Sequence, residues 1–320
     1  MLSRRHLRIK VLQACYSFFQ SHNDSLESGE KQLIRGMDKL YDLYIYQISF
    51  LLEIAGFASN RMEEARHKFF PTPEEVNPNK RFIENRVILQ LASNKDYLRK
   101  YDALKISWAD EQNMILRIYN EIKIDPDYDQ YMNSLKNTYK NDKEFLIRIV
   151  LNHIAGYDFL RQYYEDKSIF WSDEDFDTSI IMLIKTLKSL EESHSENMAL
   201  PTLYKADEAQ QEEDKQFMQK LFRMTILHSD EYAKMIDEQA QNWELDRIAV
   251  MDIIIMKMAL SEILNFPSIP IKVSMNEYIE ISKHYSSDKS KIFINGILDK
   301  LITKMKEEGL IKKMGRGLME

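Results

Sequence analysis

An all-helical fold is predicted, on three observations. The 320 residues hold only eight Gly and seven Pro, too few for the many chain reversals of a β-sandwich or barrel. The glycines are scattered, whereas a dinucleotide-binding fold gathers them after its first strand. The chain is also rich in Leu, Ile, Lys, Glu, Met and Gln, all compatible with helix interiors. Its length allows about two domains.

Residues 3 to 20 read as one amphipathic helix. Ser3 suits the N-cap, and Leu7, Val11, Ala14, Cys15 and Phe18 form an apolar stripe. A polar loop over 21 to 29 follows, then one or two long helices over 30 to 66. Pro71, Pro73 and Pro78 mark a rigid connection. Helices are expected over 80 to 98 and 101 to 122, ending at Asp125-Pro126-Asp127. Two or three more should fill 129 to 192. Residues 191 to 214 carry Glu191, Glu192, Glu196, Asp207, Glu208, Glu212, Glu213 and Asp214 against Lys205 alone, so they read as a solvated, mobile linker.

In the last third, one or two amphipathic helices over 215 to 240 precede Trp243. Residues 246 to 264 are apolar nearly all round, which places that helix at the centre of a bundle. Phe266 to Pro270 form a short loop. Ser274-Met275-Asn276-Glu277 reads as a capping box, with Val273 and Tyr278 as its hydrophobic staple. That helix should end near His284, and Ser286-Ser287-Asp288 should start the last one. Gly296 lies within its stripe, where close approach of a neighbouring helix is the expected reason. At an offset of 72, Lys143, Phe145, Ile154, Asp158, Trp171, Ile181, Lys185 and Ser189 echo Lys215, Phe217, Ile226, Asp230, Trp243, Ile253, Lys257 and Ser261, which suggests a duplicated helical unit. The expected organisation is an opening helix (1–21), a helical insertion (22–128), a helical segment related to the C-terminal unit (129–192), an acidic linker (193–214), a C-terminal helical domain (215–306) and a basic flexible tail (307–320).

The formal net charge of -7 opposes a general nucleic-acid coat protein but leaves room for a local basic patch. Cys15 is the only cysteine, so no internal disulfide is possible and a reducing compartment fits. The basic N-terminus lacks the apolar run of a secretory leader, and no apolar stretch approaches the roughly 18 residues of a membrane span. A cytoplasmic protein is expected. No phosphate-binding loop, metalloprotease helix, paired CxxC or EF-hand loop occurs. Cys15 sits on the apolar stripe and reads as a core residue. Glu64-Ala65-Arg66-His67 and Glu191-Glu192-Ser193-His194 have the Glu-x-x-His spacing of a di-iron carboxylate site, but both lie in polar stretches rather than on an inward face. No catalytic residue, metal or cofactor is therefore expected.

Arg4, Arg5, Arg8 and Lys10 form a cationic group with no acid before Asp24. Arginine forks suit phosphates and guanine edges, and Tyr16, two turns on, suits stacking on an unpaired base. The competing reading is a solubilising cluster at a chain end. Near the start of the last helix, Ser290 with Lys289 and Lys291 has the composition of a phosphate seat. Single-stranded RNA is the ligand type these features suggest.

The run Arg4-Arg5-His6-Leu7-Arg8, followed by Val11-Leu12-Gln13-Ala14-Cys15-Tyr16, resembles the N-terminal signature of the NusB transcription antitermination family. Trp243, Asp246-Arg247, Ala259 with Glu262, Ile269-Pro270, Asn276-Glu277 with Glu280, Ser290 and Phe293 to Lys300 resemble its second half. The resemblance implies NusB-like helical bundles, here with an additional helical insertion, since about 190 residues separate the two matching parts. It implies an RNA-binding, non-enzymatic factor that binds the boxA element of ribosomal RNA leaders, acts with NusE, a small-subunit ribosomal protein, and so serves the RNA polymerase elongation complex. By position, Arg4, Arg5, Arg8, Tyr16, Lys289, Ser290 and Lys291 would contact RNA, and Glu262 would face NusE. Asn276, Asn295 and Gly296 would be structural. One departure is Lys289, where the family usually carries an acid. A helical scaffold that binds only protein is the alternative from another class.

Overall fold

The computed structural model describes residues 2–21, 25–203, 208–240, 248–287 and 289–318. All regular structure among them is helical. The chain divides into two compact units, one of residues 38–203 and one of residues 2–37 with 204–320.

The second unit is built from α1 (Arg4–Gln20), the first part of α2 (Leu26–Arg66), α11 (Glu208–Leu227), α12 (Ser229–Gln239), α13 (Val250–Asn265), α14 (Ile271–Tyr285) and α15 (Ser290–Glu307). Ser3 caps α1 as expected, and its N3 residue His6 completes a capping box. Leu7, Val11, Leu12, Cys15 and Phe18 are buried, while Ala14 is half-buried at the margin of the same stripe. Ile254, Ile255, Met256, Met258, Ala259, Leu260 and Ile263 make α13 the apolar centre, with α1, α11, α12, α14 and α15 all packed on it.

The other unit holds the rest of α2, then α3 (Pro73–Val76), α4 (Arg86–Ala92), α5 (Lys95–Leu104), α6 (Gln112–Ile124), α7 (Pro126–Asn133), α8 (Tyr139–Ile149), a π turn over Val150–Ile154, α9 (Asp158–Lys167) and α10 (Asp173–Ser189). Asn94 caps α5 by accepting from the Tyr97 N–H, which divides the single helix expected over 80 to 98. Its core is aromatic: Tyr46, Trp108, Tyr164 and Trp171 meet mostly edge to face. One helix pair coincides at the offset of the sequence echo. Shifted by 72, α9 becomes 230–239, and α12 spans Ser229–Gln239. Trp243, Asp246 and Arg247 lie outside the described residues.

Four expectations are corrected. The start of the acidic stretch is not a free linker. The Lys95 N–H donates to the Glu196 carbonyl (2.8 Å), Asn94 Nδ2 to the Met198 carbonyl (2.7 Å), and the Leu200 N–H to Asp96 Oδ2 (2.9 Å), while Leu200 and Leu203 are buried. Helix-end groups of α5 thus hold backbone whose side chains look solvated. Ser274 does not cap α14, which already begins at Ile271 after Pro270. Instead Ser274 is buried one turn inside. Gly296 is exposed, with nothing within 4 Å of an added Cβ, so no helix approaches it; Asn295 and Asn276 are exposed as well. The tail is docked: the Met314 N–H donates to the Pro267 carbonyl (3.0 Å) and Lys313 Nζ to the Phe266 carbonyl (3.0 Å).

Candidate nucleic-acid interface on the opening helix

The expected cationic residues of α1 divide by burial. Arg8 Nε and Nη2 donate to the two oxygens of Glu262 at 2.8 Å each, with side-chain exposures of 3% and 0%. Ser274 Oγ (2.7 Å) and the Tyr278 hydroxyl (3.1 Å) also donate to Glu262. One carboxylate therefore takes four hydrogen bonds and ties α1, α13 and α14 together. Burial pulls the Arg8 pKa down, but the Glu262 hydrogen bonds and charge outweigh it and the net shift is upward, so the guanidinium stays charged. This corrects two assignments. Arg8 is spent inside the fold and cannot reach RNA here, and Glu262 has no surface to present to a protein partner.

Arg4 and Arg5 stay at the surface, each with acid partners. Arg5 makes a two-pronged contact with Glu277 (3.0 and 2.9 Å), which raises its pKa. Arg4 reaches Glu213 (2.6 Å) and Asp214 (3.0 Å) and lies over the Phe217 ring, 4.5 Å from its centroid. Together with Lys220, Phe266 and Pro270 they line an open cleft of about 1160 Å³.

Further along α1, Lys10 Nζ donates to Gln13 Oε1, and Gln13 Nε2 donates to the Tyr285 hydroxyl, both at 3.1 Å. Arg5–Glu277 and Gln13–Tyr285 share a sequence separation of 272, so α1 and α14 run side by side in the same direction. Tyr16, one turn beyond Gln13 on α1, is 41% exposed. Lys289 and Lys291, at the start of α15, are exposed as well. Ser290 is not available as a phosphate seat. It is 6% exposed, and its hydroxyl is engaged by Ser286 (2.9 Å) and Ser287 (2.8 Å), Ser286 also donating to Asp252. Asp288 lies outside the described residues.

Sequence reasoning missed Glu213, Asp214 and Phe217, because acids in a charged stretch read as solvated. The signal was their helical spacing: Asp214 and Phe217 are one turn apart on α11, and both face inward. The Glu-x-x-His pairs stay local. Glu64 pairs with Arg61 (3.5 Å), and His194 Nδ1 accepts the Glu191 N–H (3.1 Å). Among the described residues no three His, Cys, Asp or Glu converge as metal ligands. Cys15 is wholly buried, and burial pushes its thiol pKa up, so it is no nucleophile. Among the described residues no helix is long and apolar enough to cross a membrane.

The fold and the α1 surface define a helical-bundle protein whose opening helix is clamped to its closing helices. The NusB family profile matches residues 178–303. The transcription antitermination protein NusB of Salinibacter ruber is 36% identical over 138 residues, which is 43% of this chain and 86% of that protein. NusB proteins of Chloroherpeton thalassium and Alkaliphilus oremlandii are 42% and 39% identical, over 33% and 32% of this chain and 50% and 71% of their own lengths. No solved structure matches. The chain belongs to the NusB family.

Proposed function

We propose that this chain acts in transcription antitermination by binding single-stranded RNA, of the boxA-like type implied by its sequence, together with NusE. The observation that carries the reading is the parallel seam of α1 and α14. It leaves Arg5 and Tyr16 exposed on α1, and Lys289 and Lys291 are exposed at the start of α15, the helix that follows α14. Arg4 and Arg5 offer guanidinium N–H groups to phosphate in exchange for their acid partners, Tyr16 a ring to an unpaired base, and the two lysines positive charge beside a helix N-terminus. Arg8 and Glu262 serve this surface by holding its helices together. The partner surface moves from Glu262 to exposed parts of the C-terminal bundle.

The test is fluorescence anisotropy with a labelled boxA-like strand at about 50 mM salt, where phosphate contacts are strong, alone and with NusE. Binding that NusE tightens supports the reading. A second reading, a scaffold that binds only protein, is favoured by the acid partners of all three N-terminal arginines. NusE binding with no RNA binding in that assay would establish it.

A further inference from the structure

The two acids on Arg4 differ in a way that assigns them different tasks. Asp214 holds the Nε edge of the guanidinium at 3.0 Å, and its side chain is 5% exposed. Glu213 holds Nη2 at 2.6 Å, and its side chain is 70% exposed. The Phe217 ring lies against the same guanidinium and is itself buried. One edge and one face of Arg4 are thus fixed by groups with little freedom to leave. The other edge is held by a carboxylate that water reaches freely, on the wall of the open cleft.

We propose that Glu213 occupies the seat of an RNA phosphate and is displaced when the strand binds, while Asp214 is a positioning residue that keeps the Arg4 fork aimed at that seat. This rests on the RNA reading above and names the exchange that Arg4 makes within it. A carboxylate and a phosphodiester both present a charged oxygen to the same N–H, so one replaces the other without moving the arginine. A buried Asp214 keeps the guanidinium oriented, so little side-chain freedom remains to be lost on binding. An exposed ion pair such as Arg4–Glu213 is weak and salt-screened, as a displaceable contact must be. The acid lowers affinity at rest and penalises any anion that cannot supply a replacement contact.

The experiment compares anisotropy titrations of a labelled boxA-like single strand against the full-length protein and three variants. Glu213→Gln removes the competing charge. Glu212→Gln removes the same charge one residue away, from a side chain that accepts a hydrogen bond from Gln216 rather than from Arg4. Asp214→Asn, made in the Glu213→Gln background, keeps an acceptor oxygen but loses the charge that orients Arg4. Glu213→Gln should bind about two- to fivefold tighter than wild type, the range of an exposed ion pair, and Glu212→Gln should gain clearly less. Adding Asp214→Asn should reverse the gain and reduce the salt slope by about 0.7, one single-strand phosphate contact, with no change in melting temperature large enough to unfold the protein. Equal gains from Glu212→Gln and Glu213→Gln, with RNA binding intact, overturn the proposal alone, because net charge then suffices. A weaker-binding Glu213→Gln overturns it too. If none of the proteins binds at about 50 mM salt, the RNA reading fails and this inference with it.

Discussion

Arg8 and Glu262 stand 254 residues apart in the chain and meet inside it through two hydrogen bonds of 2.8 Å. Their contact joins the opening helix to the closing bundle, with Ser274 and Tyr278 filling the remaining acceptor positions. A buried pair with this many partners is costly to break from one side only, because the remaining charge is stranded.

Glu262→Ala should therefore destabilise by about 3–5 kcal/mol, the range for removing one member of a buried ion pair. Replacing Arg8 and Glu262 together by Met and Leu should cost much less than the sum of the single changes. Urea unfolding followed by circular dichroism checks this. Additive losses would show that the two side chains act independently.

Tyr16→Ala should weaken single-strand binding by about 1–3 kcal/mol, the usual worth of one stacked base, and Tyr16→Phe should keep most of the affinity. Neither change should alter the salt dependence, because the ring carries no charge. Equal losses from both variants would point to the hydroxyl rather than the ring.

Gly317→Ala should release the C-terminal tail. An added Cβ would lie 1.9 Å from the backbone carbonyl oxygen of Pro267, which has no flexible end to move aside. Trypsin should then cut after Lys312 or Lys313 much faster than in wild type, while the thermal transition of the bundle changes little. Unchanged proteolysis would mean that the tail docks without the close approach at Gly317.

Asp96 predicts an acid-sensitive clasp. Burial pushes its carboxyl pKa up, but the Lys100 hydrogen bond, the Leu200 N–H and Arg99 outweigh this, so the folded value lies below the ordinary one. A lowered folded pKa gives stability that is present above the unfolded value, about 3.9, and is lost as pH falls through the folded value. As pH falls from about 5 through the folded value, wild type should lose stability more steeply than Asp96→Asn. Hydrogen exchange at Leu200, whose N–H the carboxylate accepts, should rise first. Parallel acid profiles would show that the clasp does not depend on ionised Asp96.

Much of the fold was legible because it rests on local patterns. Ser3 as a cap, the α1 stripe with Cys15 buried, and the apolar centre in α13 all follow from helical spacing and propensity. What was not legible depended on contacts between distant segments. Ser274 matches a capping box by spacing, yet Pro270 starts the helix earlier and Glu262 claims the hydroxyl. Arg8 has the same composition and wheel position as a phosphate contact, and only an acid 254 residues away turns it inward. The acidic stretch read as solvent-facing because its backbone, which carries the contacts to Asn94 and Asp96, leaves no mark on composition. At the candidate site, the partial or full exposure of Arg4, Arg5 and Tyr16 on α1 was legible from helical spacing, while their acid partners were not.

The most direct measurement is the salt dependence of single-strand binding by wild type and by the triple variant Arg5→Ala, Lys289→Ala and Lys291→Ala. If α1 and the start of α15 grip one strand, the slope of log K against log salt should fall by about 0.7 for each lost phosphate contact, and affinity at 50 mM salt should drop with it. An unchanged slope, or a strand that wild type does not bind, would contradict the account.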